Sequence, residues 1–120
     1  MTVLVWQGCP GGTTGSLCNG GALAYMNWKV ALEYCESLNW SNKDDWRLPS
    51  INELSWIVDS TKTDPALDTA VFPGPSLNYA SATTKPKSPD SAFYLQANLG
   101  YAIGYTKSQN IAVRCVRDGP

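Results

Sequence analysis

Trp28-Lys-Val-Ala-Leu-Glu-Tyr-Cys-Glu-Ser-Leu38 is the stretch on which the fold turns. Trp28, Ala31, Leu32, Cys35 and Leu38 recur at the spacing of one helix face, and Asn27 before them offers an N-cap. The spacing predicts a helix over Trp28–Leu38 with Cys35 on its buried side. Its counterpart lies near the other end of the chain, where Ile111-Ala-Val-Arg-Cys-Val-Arg117 reads as a closing strand. Alternation puts Ile111, Val113 and Cys115 on one face. That face must look inward to meet the helix, which leaves Arg114 pointing away from the core. A bond between Cys35 and Cys115 would tie an early helix to the last strand and imply an oxidising compartment.

Four cysteines without any C-x-x-C argue against a thiolate zinc site or a thioredoxin-like motif, and they allow three disulfide pairings. We read Cys9–Cys18 and Cys35–Cys115. The first would close a segment too rich in glycine to hold a shape unaided. The chain has no histidine, so a Ser-His-Asp triad, a Cys-His pair and a His-ligated zinc are all excluded. A net charge of −1 gives no global field for nucleic acid or an anionic membrane. No segment is long and apolar enough to span a bilayer, and Met1–Trp6 is too short and uncharged for a signal peptide. Together with the disulfides this suggests one domain, residues 1–120, excised from a larger surface or secreted protein.

Outward from these anchors, Val3–Gln7 reads as an opening strand and Cys9–Gly21 as a stapled hairpin or loop. Asp45-Trp-Arg-Leu-Pro49 leads into Ser50-Ile-Asn-Glu53, a capping box. The helix after it should bury Leu54, Ile57 and Val58 and stop near Asp59. Capping explains Glu53 better than catalysis does. Ser60–Pro89 contains five prolines and reads as a long irregular loop, pinned to the core by Leu67, Val71, Phe72 and Tyr79. Strands are expected at Ala92–Asn98, Tyr101–Thr106 and Ile111–Arg117. Helices early and an antiparallel sheet late make an α+β domain.

Taken together, these residues resemble a bacterial C-type-lectin-like domain of the Legionella collagen-like-protein C-terminal domain family. The resemblance rests on Trp28…Ala31-Leu32…Tyr34-Cys35…Leu38, Asp45-Trp46-Arg47-Leu48-Pro49, Asn52-Glu53-Leu54, Asp64-Pro65-Ala66-Leu67-Asp68, Phe72-Pro73 and Val113-Arg114-Cys115-Val116-Arg117. It covers the chain from about Trp6 to Arg117, and the Cys9…Cys18 element is similar to the stapled entry of many members. It implies a lectin-like fold, with two helices packed on antiparallel strands and a long loop over one end. It also implies a receptor-binding tip of a surface or secreted protein. One departure is Tyr79-Ala80-Ser81-Ala82, where the family often shows Tyr-Trp-Ser-Ser.

Calcium-dependent lectins of similar fold use Glu-Pro-Asn or Gln-Pro-Asp in the long loop and Trp-Asn-Asp on a late strand. Here the loop offers only Ser88-Pro89-Asp90, and the late strand offers Gln109-Asn110 without a carboxylate. Too few oxygens converge for a calcium ion and a sugar together. Asp44-Asp45 reads as a solvated turn before Trp46 rather than a structural calcium site. No cofactor or metal is therefore expected.

The expected ligand surface is Tyr94, Gln96, Asn98, Tyr101, Tyr105, Lys107 and Asn110 on the terminal strands, since tyrosines and amides make adaptable contacts. Tyr101 and Tyr105 share a face with Ile103, which marks one of them for the core. Lys85 and Lys87 form a small basic pair that suits sulfated or carboxylated glycans, against the plainer reading of solubilising charge. Arg47 and Arg114 are expected to pair with acids such as Glu53 or Asp45. Asn39-Trp40-Ser41 is a glycosylation sequon, idle in a bacterial host.

The function these features favour is a non-enzymatic extracellular or cell-surface module for ligand binding or adhesion. It would recognise a glycan or a host cell-surface protein without calcium, with no nucleic acid partner and no membrane insertion. The alternatives are an oligomerisation or structural tip, as a homo-oligomer, and an enzyme resembling the formylglycine-generating oxidases.

Overall fold

The computed structural model of the chain describes residues 3–15, 17–40, 42–69, 71–72 and 77–119. Met1 and Thr2, Ser41 of the sequon and Pro73-Gly74-Pro75 of the proline-rich stretch lie outside them. Within the described residues the order is β1 (Val3–Trp6), β2 (Thr13–Thr14), β3 (Gly20–Gly21), α1 (Trp28–Ser37), α2 (Ile51–Ser55), β4 (Asn78–Thr84), β5 (Ser91–Gln96), β6 (Tyr101–Thr106) and β7 (Val116–Gly119). The domain is α+β, with two helices, antiparallel sheets and two disulfides. Strands β1 and β7 pair antiparallel, Trp6 against Val116 and Val3 against Gly119. Strand β2 lies within the Cys9–Cys18 loop and pairs with β3 just after it, and β4, β5 and β6 form a three-stranded sheet in that order.

Helix α1 begins where the Asn27 side chain accepts from the Val30 N–H at 3.0 Å. Ala31 and Cys35, one turn apart, are fully buried. Leu38 turns extended and ends the helix. Both disulfides form as read, and Cys35–Cys115 spans 80 residues of sequence. It lies in an apolar cluster with Met26, Trp46, Leu48, Ala80 and Val113. A second cluster gathers Leu54, Leu67, Tyr79, Leu95, Ala97 and Ala112.

The capping box at α2 is complete, and Glu53 takes on a further task. Arg47 clamps its carboxylate with two hydrogen bonds of 2.7 Å while the Ser50 N–H donates to it at 2.8 Å. Arg47 also reaches Asp118 at 3.0 Å, tying α2 to β7. Hydrogen bonding from Arg47, chiefly, holds the Glu53 carboxyl below its ordinary value of 4.5 against the opposing effect of burial. A depressed carboxyl contributes stability that is present above its unfolded value and lost as pH falls through the folded one. Glu53→Gln is therefore expected to cost about 1–2 kcal/mol at neutral pH, screening of the half-exposed Arg47 included. The difference from the parent should shrink below about pH 4.5. Urea unfolding across that pH range checks it, and a gap that stays constant into acid would contradict it.

Helix α2 is shorter than expected. It ends at Ser55 because Val58 pairs with Leu67 and the Asp59 N–H donates to the Ala66 carbonyl at 2.8 Å, so tertiary partners draw the chain out of the helix. Leu54 is buried as anticipated, but Ile57 and Val58 are only half-buried. Val58 is nevertheless a close neighbour of the β5–β6 turn. Gly100 there has φ +81°, and a Cβ on it would stand 2.8 Å from Val58 Cγ1.

Two further expectations need correction. Asn78–Thr84 is a strand rather than part of a long irregular loop, and it lies where the two clusters meet. Tyr79 faces one cluster and Ala80 the other. One edge of β4 pairs with β5, while near its start the other edge takes Ala112, by Ala80 N–H to Ala112 O at 3.0 Å and Ala112 N–H to Asn78 O at 3.1 Å. Leu67 and Tyr79 are buried as expected, Phe72 is half-buried, and Val71 is exposed.

The segment Ile111–Arg117 is extended but changes partner at almost every step, Met26 for Ile111, Tyr79 for Ala112 and Arg47 for Val116. It runs between the two clusters, so both of its faces are covered. Arg114 is accordingly buried, at 1% exposure, and not turned to solvent. Among the described residues no ion pair joins it to an acid. Its Nη1 donates to the Gln7 carbonyl at 2.9 Å, and its guanidinium lies 5.2 and 5.7 Å from the Phe72 and Tyr79 ring centroids. Asp45 instead pairs with Arg117, at 2.6 and 3.0 Å, which holds its carboxyl below the usual range.

Candidate binding groove

The sheet β4–β5–β6 separates the nine expected ligand residues into three places. At the β4–β5 turn stand Lys85 and Lys87, both exposed. Lys85 lies across Gly104, whose added Cβ would meet its Cδ at 3.3 Å, and Lys87 takes a left-handed φ of 63° in the turn. Lys107 is near this end too, but it is committed to the fold. Its Nζ sits 3.8 Å over the Trp28 ring and donates to Thr84 Oγ1 at 3.0 Å.

In the middle of the sheet Tyr94 and Tyr105 pack edge to face, with centroids 5.5 Å apart. Tyr105 is the core member of the Tyr101/Tyr105 pair, at 6% exposure. Burial raises its pKa to about 12, and its hydroxyl has no hydrogen-bond partner. It offers no surface to a ligand.

The opposite end brings the remaining residues together. The register places Asn78, Gln96 and Tyr101 in one row across β4, β5 and β6, and Tyr101 is 62% exposed. Beside Asn78 and Gln96 lie the two adjoining lobes of a groove, which share Leu77 and Asn78, and Tyr101 lines neither of them. One lobe, of about 220 Å³, is bounded also by Tyr25, Asn110, Ile111 and Ala112. The other, of about 330 Å³, is bounded by Asp64, Gln96 and Asn98. Asn98 Oδ1 is buried there without a partner. The Asn98 backbone carbonyl is held by the Asp64 N–H at 2.9 Å, so the β5–β6 turn is fixed against the 64–66 segment.

Gln96, Asn98 and Asn110 were legible in the sequence as polar residues near strand ends. Asn78 and Tyr25 were not, because Asn78 belongs to the strand hidden in the proline-rich stretch. Tyr25 precedes Met26, whose N–H and C=O both bond to Ile111. That pairing is what carries Tyr25 to Asn110, and an aromatic next to a methionine gives no hint of it.

Among the described residues the groove's polar lining is primary amides, which donate and accept, with the Tyr25 hydroxyl, one carboxylate and no lysine or arginine. Among the described residues no three His, Cys, Asp or Glu side chains gather to hold a metal ion. No free cysteine is present, and no described helix is long and apolar enough to cross a membrane. The profile of the Lcl C-terminal domain family matches residues 1–117. Comparison with curated proteins finds no match.

Proposed function

The chain belongs to the Lcl C-terminal domain family, and from that premise we propose that it is a non-enzymatic ligand-binding or adhesion module in a C-type-lectin-like frame, acting at a cell surface or outside the cell. Its ligand is a glycan or a cell-surface protein, recognised without calcium. The observation that carries this reading is the amide groove. Asn78, Gln96 and Asn110 arrive from three separate segments, Asn110 lining one lobe, Gln96 the other and Asn78 both, at one end of the β4–β5–β6 sheet. Amides fixed on strands and their turns position hydrogen bonds without metal or proton transfer, which suits recognition rather than turnover.

The test is binding to intact cells and to a glycan array, with and without a chelator. Binding should persist in the chelator and fall about tenfold or more in the double variant Gln96→Ala, Asn110→Ala, as expected for two lost hydrogen bonds. Tyr94→Ala should change it little. Binding abolished by the chelator, or unaffected by the double variant, would overturn the reading.

A further inference from the structure

We infer that the groove takes an uncharged saccharide, with Tyr25 and Tyr101 as stacking faces and the amides as partners for its hydroxyls. This deepens the function proposed above and rests on it. Three observations select the ligand class. First, the charge is wrong for an acidic ligand, since Asp64 lines one lobe and no cation lines either. The basic pair Lys85 and Lys87 lies past the far end of β4, and a strand running from Asn78 to Thr84 sets that end about 20 Å away.

Second, a hydroxyl both donates and accepts, and so does a primary amide. Asn78, Gln96, Asn98 and Asn110 therefore match a polyol at each point. Third, a flat aromatic lines the first lobe, and another stands next to a residue that lines the second. Tyr25 lines the first and is 58% exposed, and Tyr101 stands beside Gln96 in the cross-strand row at 62% exposure. Aromatic faces pack against the C–H faces of pyranose rings while their hydroxyls remain wet.

An extended peptide, the other ligand that amides serve, would bind best by adding to a free strand edge. At this groove β4 has both edges taken, one by β5 and one by Ala112, so that mode is closed along β4.

The experiment follows the side-chain amide resonances of the 15N-labelled protein during titration with three probes: neutral methyl glycosides and oligosaccharides, sulfated oligosaccharides, and short extended peptides. Neutral saccharides should shift the resonances of Asn78, Gln96, Asn98 and Asn110. Tyr25→Ala and Tyr101→Ala should each weaken that binding about tenfold, the scale of a lost aromatic contact. Both side chains are largely exposed, and an unchanged backbone spectrum in each variant confirms folding. Lys85→Ala with Lys87→Ala should leave neutral binding unchanged. If only peptides move these resonances, the saccharide assignment is overturned while the groove remains the binding site. If sulfated probes alone bind, and the lysine variant removes that binding, both the saccharide assignment and the groove are overturned. Silence of the groove toward all three probes has the same consequence.

Discussion

Replacing Cys35 and Cys115 together by alanine is expected to lower the unfolding free energy by about 5 kcal/mol. The bond closes a loop spanning 80 residues. In the chain-entropy account such a loop restricts the unfolded ensemble by about 4.5 kcal/mol, against about 2.7 kcal/mol for a loop the size of Cys9–Cys18. The native state adds to this, because both sulfurs are fully buried among Ala31, Leu48, Ala80 and Val113 and their removal leaves unfilled space. A domain of this size has only about 5–15 kcal/mol in total, so the variant should be partly unfolded at physiological temperature. Urea unfolding of the two double variants, Cys35→Ala with Cys115→Ala and Cys9→Ala with Cys18→Ala, makes the comparison. Equal losses from the short bridge and the long one would contradict this ranking. A further sign should appear in the slope of the unfolding curve, which rises when a denatured state freed of a long cross-link expands.

The same bond marks how far the sequence could be read. Helix α1 was legible because an N-cap and a repeat of apolar side chains are local signals, and so was the capping box at Ser50–Glu53. The disulfide pairing was one choice among the three that four cysteines allow, and it is the one that forms. Strand β4 was not legible, since Ala80, Ser81 and Ala82 are small, have weak strand propensity and are flanked by prolines. Their smallness is what the packing uses. Ala80 is fully buried in the cluster around the disulfide, and the Trp28 indole donates to the Ser81 carbonyl at 3.0 Å. Alternation failed at Ile111–Arg117 for a related reason. It assumes one dry face and one wet face, and this segment runs between two apolar clusters. The groove was half legible. Its amides on β5 and the turns stood out as polar, whereas Asn78 and Tyr25 reach it only through the pairing of β4 with β5 and of Met26 with Ile111.

Arg114 gives the second large effect, and its size should depend on what replaces it. Arg114→Ala is expected to cost about 3–5 kcal/mol, because it removes the largest fully buried side chain and the filling between Phe72 and Tyr79. Arg114→Met should recover much of that loss. The guanidinium is held by the Gln7 carbonyl at 2.9 Å and more weakly by Gly8 at 3.3 Å, while among the described residues its Nε and Nη2 meet no well-placed hydrogen-bond partner. A charge buried with donors unmatched carries a desolvation cost that a methionine of similar length avoids. Methionine also keeps favourable contact with the two rings through its sulfur. What it cannot do is donate to Gln7, whose own N–H and side-chain Oε1 both bond to Cys115, at 2.9 and 3.0 Å. The residual deficit of Arg114→Met therefore measures how much the arginine contributes by pinning Gln7 against the disulfide strand. A methionine variant as unstable as the alanine one would assign the role of Arg114 to its hydrogen bonds rather than to filling the space between two aromatic rings.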